Sequence, residues 1–391
     1  MGISYTKRME QLFGDCRRGC SITDMEKKNL ELIWELRKKL HSCPEISGQE
    51  KKTIQVLKEF LEKYTSMTVV DTGSWLYGIH EEEKPSSVIC FRADMDCIVN
   101  SSGQLFHGCG HDGHSAALAG LALELERKKT GKNVVLLWQP GEENGQGAKV
   151  CRKLIRQLGI TEIYGCHNIP GYPEGQLLLR HGVFACASRG MNICLRGKQT
   201  HAAYPELGRN PAWTIGELLH QLPAFLKEEG QYQGMVLASV IEIKVGEKNF
   251  GISAGEGELS LTIRAHYLED LDRLQQKIME FLKHQCAETG LEMELQLWDE
   301  FPDTRNEEKL SEKMETLLMQ QEIPYTLLEA PMRWSEDFGW YQKECPGVFF
   351  GIGAGSDWPG LHTDEFEYND VLLEKTADIF YLLAETASGA E

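Results

Sequence analysis

Histidine, cysteine and acidic residues crowd into a few short stretches of this sequence, with glycines set between them. The first stretch is Arg92-Ala-Asp94-Met-Asp96, followed closely by His107-Gly-Cys109-Gly-His111-Asp112-Gly-His114. The others are Gln139-Pro-Gly-Glu142-Glu143, Gly165-Cys-His167-Asn, and Asp357 with Leu361-His362. Taken singly, each has an ordinary explanation. A lone buried His or Cys is usually just packed, a Glu pair usually sits on a solvated turn, and Asp94 and Asp96 would serve as caps. The interleaved Gly108, Gly110 and Gly113 change that reading, because they let the backbone fold tightly enough for neighbouring side chains to converge. Cys109, His111, Glu143, His167 and His362 together offer sulfur, nitrogen and oxygen donors. That mixture suits zinc or manganese, with cobalt or nickel as alternatives, and does not suit magnesium. So many donors exceed the need of one catalytic ion. They suit two divalent metal ions per chain that share a bridging ligand and hold a water between them. The Cys109 thiolate is a candidate bridge, since a coordinated thiol is deprotonated. Glu142 stands beside a ligand on a turn, points elsewhere, and is left as a general base.

Something must carry these loops to one place. Ser87 to Phe91, Asn133 to Trp138 and Val348 to Ile352 are short apolar runs ended by Gly, Pro or Asp, which predicts buried strands. Each is followed by one of the donor-rich loops, and Glu162 to Tyr164 is a similar run before His167. Helical patterns cover Asp24 to Leu40, Glu50 to Tyr64, Ser115 to Lys128 and Ala148 to Leu158. Alternating strand and helix predicts an α/β fold with a mainly parallel sheet, in which sites form beyond the carboxyl ends of the strands. The middle of the chain differs. Strand patterns at Met191 to Leu195, Val236 to Val245, Glu258 to Ala265 and Glu292 to Leu297 alternate with helices over Thr214 to Glu229 and Asp270 to Ala287. This predicts an α+β domain, residues 185–298, inserted into a catalytic domain of residues 22–184 and 299–391, with residues 1–21 as an N-terminal arm.

Bulk composition limits the function classes. With 391 residues and 41% hydrophobic content, the chain is long enough for two packed domains. Its 41 basic and 59 acidic residues give a net charge of −18, which argues against a nucleic-acid or anionic-membrane partner. No stretch has the length of a membrane span, and Lys7, Arg8, Glu10, Asp15, Arg17 and Arg18 are not followed by an apolar signal segment. The cytoplasm is the expected compartment. The 12 cysteines then read as mostly reduced thiols, and no Cys-x-x-Cys pair marks a structural zinc site.

The order of the motifs carries a resemblance. Arg37 with Leu40-His41-x-x-Pro44-Glu45, Arg92-Ala-Asp-Met-Asp96, Cys109-Gly-His-Asp112 and Gln139-Pro-Gly-Glu-Glu143 come first. His167, Gly197 to Pro211, Ser335-Glu-Asp-Phe338 and Leu361-His362 follow. From about Leu36 to Asp370 the chain resembles the metal-dependent amidohydrolases that include hippurate hydrolase, indole-acetyl-amino-acid hydrolase and N-acyl-amino-acid deacylase, within the aminoacylase and carboxypeptidase G group. The resemblance implies that Cys109, His111, Glu143, His167 and His362 are metal ligands and Glu142 the general base. Asp96 would be the orienting acid of the catalytic group, and Asp94 would act behind the ligands. The inserted segment would be a lid and dimerisation domain, making the protein a homodimer. In it Thr200-His201-Ala-Ala-Tyr-Pro205 would bring His201 to the substrate, and Asn249 would bind substrate. Apart from the resemblance, Arg264 at the end of a strand of this segment is placed to pair with a substrate carboxylate, with a surface salt bridge as its ordinary alternative. The chain departs from the family pattern at Cys97-Ile-Val-Asn100, where Ala-Leu-Pro is usual, and at Asn249-Phe-Gly-Ile-Ser253, which lacks the usual Pro.

The function implied is hydrolysis of the amide bond of N-acyl amino acids or short peptides. A non-catalytic metal-dependent binding protein on the same scaffold is the alternative. Against it stands Glu142, because binding needs no spare base. A two-metal phosphoesterase would need a phosphate loop or basic cluster, and neither is present.

Overall fold

A computed structural model of the chain describes residues 25–227 and 230–386. The expected N-terminal arm and the Asp24 helix cap lie outside the described residues. The chain divides into two compact units. The first comprises the chain up to Phe184, then Arg305–Ala330, then Trp340 onward. The second is Ala185–Thr304 with Pro331–Gly339.

The first unit is built on an eight-stranded sheet. Its spatial order is Thr68–Asp71, Leu76–His80, Asn133–Gln139, Val88–Asp94, Glu162–Pro170, Gly347–Gly355, Leu177–Leu179, Tyr325–Leu327. The middle four strands are parallel to one another. Antiparallel pairings flank them, through Leu76–His80 on one side and Leu177–Leu179 on the other. This is the α/β, mainly parallel arrangement that the strand and helix alternation implies. The central strands read as continuous apolar runs because both faces are covered, so no alternation survives. Val134–Trp138 and Val348–Phe350 are fully buried. The helix His111–Leu125 is buried at every position, which explains why it is apolar all round rather than striped. It packs against Lys27–His41 and Leu372–Thr386. The helical stretch expected over Ala148 to Leu158 is broken at Arg152 into Gly147–Cys151 and Lys153–Leu158.

The second unit is a four-stranded antiparallel sheet ordered Val236–Val245, Glu256–Ala265, Ala187–Arg196, Glu292–Phe301. Helices Ala212–Leu226 and Leu268–Thr289 pack on it. Strand Glu256–Ala265 alternates buried and half-buried residues, as expected where helices cover one face. Leu218, Leu274, Ile278, Ile193, Leu259 and Ile263 form its core. The unit runs beyond the residue 298 expected from the pattern and recruits Pro331–Gly339 from later in the chain. That return rests on contacts such as the Cys186 amide donating to the carbonyls of Met332 and Trp334, each at 3.1 Å. Linear periodicity has no means of registering such contacts. No described helix is long and apolar enough to cross a membrane.

Candidate metal centre

The donors come from the carboxyl ends of the parallel strands. Val88–Asp94 leads into Asp96 and the Cys109–His111 segment. Asn133–Gln139 leads into Glu142 and Glu143, Glu162–Pro170 carries His167, and Gly347–Gly355 leads to His362. Gly110 adopts φ +93°, a left-handed conformation that turns the chain between Cys109 and the start of the helix at His111. At Gly113 an added Cβ would sit 2.3 Å from the Tyr368 ring. His362 itself has φ +64°, a strained conformation for a non-glycine residue, and its amide donates to the Gly108 carbonyl at 2.9 Å.

The candidate ligand atoms converge. Those of Cys109, His111 and His167 lie within 4.8 Å of one another, as do those of Cys109, Glu143 and His362. The same holds for His111, Glu142 and Glu143, and for Asp94, His111 and His114. Cys109 Sγ is 3.3 Å from His167 Nε2, and Glu143 Oε1 is 3.6 Å from His362 Nε2 and 3.8 Å from His111 Nε2. Each buried imidazole is fixed through its other nitrogen. His111 Nδ1 bonds the carbonyl and carboxylate of Asp96, at 3.0 and 3.1 Å, and His167 Nδ1 bonds the Asn168 carbonyl at 2.7 Å. This turns both Nε2 atoms toward the shared space. Asp96 Oδ2 also accepts from Ser47 Oγ at 2.7 Å and from the Glu143 amide at 3.0 Å, so Asp96 positions two ligands together. Asp94 bonds Arg92 at 2.8 Å and His114 at 2.7 Å, and His114 Nε2 meets Asn168 Oδ1 at 2.5 Å. Arg92 in turn donates from Nε to Gln139, which also accepts from the Tyr341 hydroxyl. His114, Ser47 and Asn168 have no role assigned from the sequence pattern. Only for His114 was a signal present, one helical turn after His111.

The electrostatics call for a cation. Burial alone would lower the His111 pKa, but Asp94, Asp96 and Glu143 push it up to about 10. Burial and the charges of Glu143, Glu142 and Asp94 drive the Cys109 thiol well above its ordinary value. Burial, helped by His114, holds His167 well below its ordinary value, so its ring is neutral and able to coordinate. His111 Nε2 and Glu143 Oε1 are buried without a hydrogen-bond partner. Orphaned donor atoms aimed at one space are costly unless something positive occupies it. The residues therefore fit divalent metal ions.

Residues 90–386 match the peptidase family M20/M25/M40. The chain belongs to this family. Among relatives in it, an N-acetyldiaminopimelate deacetylase of Exiguobacterium sibiricum is 27% identical over 351 residues, covering 85% of this chain and 93% of the relative. A second deacetylase of that name, from Brevibacillus brevis, is 27% identical over 88% of this chain and 94% of its own length. Among solved structures, a putative aminohydrolase from methicillin-resistant Staphylococcus aureus superposes with a TM-score of 0.83 at 21% identity, covering 91% of this chain and 96% of that one. The YXEP protein of Bacillus subtilis, a dinuclear metal-binding peptidase of the M20 family, gives 0.79 at 20% identity over 93% and 99%. This M20 chain is a metal-dependent amidohydrolase.

Cys109 belongs to two of these donor groups, so its loss should weaken both. Cys109→Ala is expected to release at least one ion per chain on dialysis, read by metal analysis. Full occupancy in that variant would remove the thiolate from the ligand set. Asp112, behind the ligands, is fully buried. It accepts from His41 at 2.8 Å and the Gly113 amide at 3.0 Å and pairs with Arg37 at 3.2 Å. Burial would raise its pKa, but Arg37, His107 and His41 hold it well below the usual carboxylate range. A depressed folded value means stability that is present above the unfolded pKa of about 3.9 and is lost as pH falls through the folded one. Asp112→Asn is expected to cost about 3–5 kcal/mol at neutral pH. Denaturant unfolding at pH 7 and pH 3 checks this, with the deficit shrinking at the lower pH.

The remaining expected residues belong to the second unit. His201 is exposed, on the short Thr200–His201 strand paired with Ile252–Ser253. Its Nδ1 accepts from the Ala203 amide at 3.0 Å, which leaves Nε2 as the protonated nitrogen of the neutral ring. Arg264 is half-buried and donates to Ser335 Oγ at 2.5 Å. Among the described residues no carboxylate pairs with it, so the surface ion pair that would be its ordinary explanation is absent. Asn249 uses its side-chain carbonyl to accept from the Gly251 amide at 3.0 Å, holding its own turn.

Proposed function

We propose that this chain hydrolyses the amide bond of N-acyl amino acids or short peptides, with two divalent ions held by Cys109, His111, Glu143, His167 and His362. The observation that carries this is the placement of Glu142, a buried carboxylate within 4.8 Å of ligand atoms of His111 and Glu143. Two ions are supported by the two donor triads that overlap at Cys109. Zinc or manganese suits the mixed donor set best. When bound, the ions supply Lewis acidity, polarising the scissile carbonyl and lowering the pKa of the attacking water. Glu142 takes the proton from that water as it attacks, then passes it to the nitrogen of the departing amine, so the amide C–N bond breaks with no net proton change. His111 is kept in the coordinating tautomer by Asp96. Asp94, held by Arg92 and His114, places Oδ2 3.7 Å from His111 Nε2.

The second unit supplies the rest of the reading. His201 Nε2–H serves as donor to the oxyanion that forms at the carbonyl. Arg264, a cation with no acid partner of its own, binds the substrate carboxylate. Asn249, whose side-chain carbonyl holds its own turn, is a further substrate-binding residue. The protein works as a homodimer. Support comes from the sheet edges, where Val240, Ile241 and Ile243 on one edge strand and Trp298 on the other are exposed, an arrangement natural proteins cover. A cytoplasmic setting is supported by the free cysteines among the described residues.

The test is turnover of a panel of N-acetyl, N-benzoyl and dipeptide substrates with added Mn or Zn, including N-acetyldiaminopimelate. Release of free amine from at least one of them is expected. Stoichiometric metal binding with no release from any would overturn the hydrolytic reading in favour of a binding protein.

A further inference from the structure

Glu50 is 2% exposed, immediately before the helix Lys51–Tyr64, and no ligand role requires it. Its Oε1 accepts two backbone amides, Gly48 N at 2.8 Å and Gly141 N at 2.8 Å. The first is local. The second reaches across to the turn that carries Glu142. Within that turn the Glu142 carbonyl accepts from Gly145 N at 2.8 Å. Pro140 has no amide to give, Gly141 takes φ +56°, and its carbonyl accepts from Gly147 N at 3.0 Å. The Glu143 amide goes to Asp96, which Ser47 also holds. The turn 45–50 therefore braces the Glu142–Glu143 segment twice, once through Asp96 and once directly through Glu50. Asp96 is shared with His111, whereas Glu50 touches this segment only at Gly141. Burial pushes the Glu50 carboxyl up to about 7 against the pull of its backbone amides. A cap serving only the helix would sit at the surface and avoid that penalty.

We propose that Glu50 is a positioning residue for the general base: by fixing the Gly141 amide it sets the direction in which the Glu142 side chain leaves the backbone. The proposal rests on the reading of Glu142 above. Misplacement by about 1 Å of a catalytic group can cost on the order of 100-fold. Glu50→Ala is expected to lower kcat by about 10- to 100-fold while KM and ions per chain stay at wild-type values. Glu50→Gln keeps an oxygen that can accept both amides, and it should restore kcat to within about threefold of wild type. Combined with Glu142→Gln, Glu50→Ala should lower kcat no further, because both act through one group. Glu50→Asp retains the acid but is one methylene too short to reach Gly141 N, and it should behave as Glu50→Ala even if the alanine variant folds poorly. A folded Glu50→Ala or Glu50→Asp protein with wild-type kcat overturns the proposal. So does additivity with Glu142→Gln, or a loss in which KM or metal content moves with kcat. Full activity in Glu142→Gln alone instead overturns the general-base reading, which separates the two failures.

Discussion

Glu142→Gln is expected to lose about 100- to 10,000-fold in kcat and to keep its metal ions. The carboxylate lies at the ligands yet is surplus to the two donor triads, which are complete without it. Glutamine fills nearly the same volume and keeps a hydrogen-bonding oxygen, so the buried turn has no reason to rearrange. What it lacks is the capacity to take a proton from water and return it to the amine. KM should change little, since proton transfer is an event of the transition state. Steady-state turnover and metal analysis on one preparation decide the matter. Activity above about a tenth of wild type is incompatible with loss of a general base.

The second large effect concerns His201. Its Nδ1 is held by the Ala203 amide, so the Nε2–H is presented outward as a fixed donor. A donor aimed at developing oxyanion charge contributes about 2.7–4 kcal/mol, or roughly 100- to 1,000-fold in kcat. His201→Ala is expected to fall by that amount with unchanged metal content, because the ligands belong to the other unit. If the donor serves the partner subunit's site, mixing inactive His201→Ala protein with inactive Glu142→Gln protein should restore activity. In a mixed dimer one site receives an intact base and an intact histidine together, and random exchange gives roughly a quarter of wild-type turnover. If subunits exchange and nothing returns, the histidine acts within its own chain.

Much of the first unit was legible because its signals are local. Apolar runs ending in Pro, Gly or Asp coincide with the bodies of three of the parallel strands, where burial on both faces favours apolar residues, and the buried polar residues Arg92, Asp94 and Gln139 come only at the strand ends. The donor-rich loops stood out because Cys, His and Glu next to a buried strand have no structural reason to be there. Their convergence follows from strand direction, which the α/β pattern supplies. Interactions across sequence were not legible. Nothing in Ser47-Gly-Gln-Glu50 announces a carboxylate that reaches Gly141, nor in Pro331–Gly339 that it rejoins the second unit. The left-handed backbone of His362 was equally silent, because only a few per cent of non-glycine residues adopt it and nothing local marks which. The broken helix at Arg152 shows the same limit, as hydrophobic spacing continues through a break in the hydrogen-bond ladder.

The strand Gly347–Gly355 is nearly the last piece of the first unit to leave the ribosome, yet it lies between Glu162–Pro170 and Leu177–Leu179. Until it arrives, Glu162–Pro170 has an unpaired edge carrying His167, and the growing chain has already produced the whole Ala185–Thr304 unit. That unit has its own core and is free to fold while the first waits. The waiting edge is a nine-residue strand that is buried along nearly its whole length in the finished sheet, the kind that pairs with other chains. His362, a proposed ligand, also follows Gly347–Gly355 in the chain. A complete set of proposed ligands would therefore record that the sheet has closed, and chain arrest anywhere before Gly347 leaves both a sticky edge and an unfinished site.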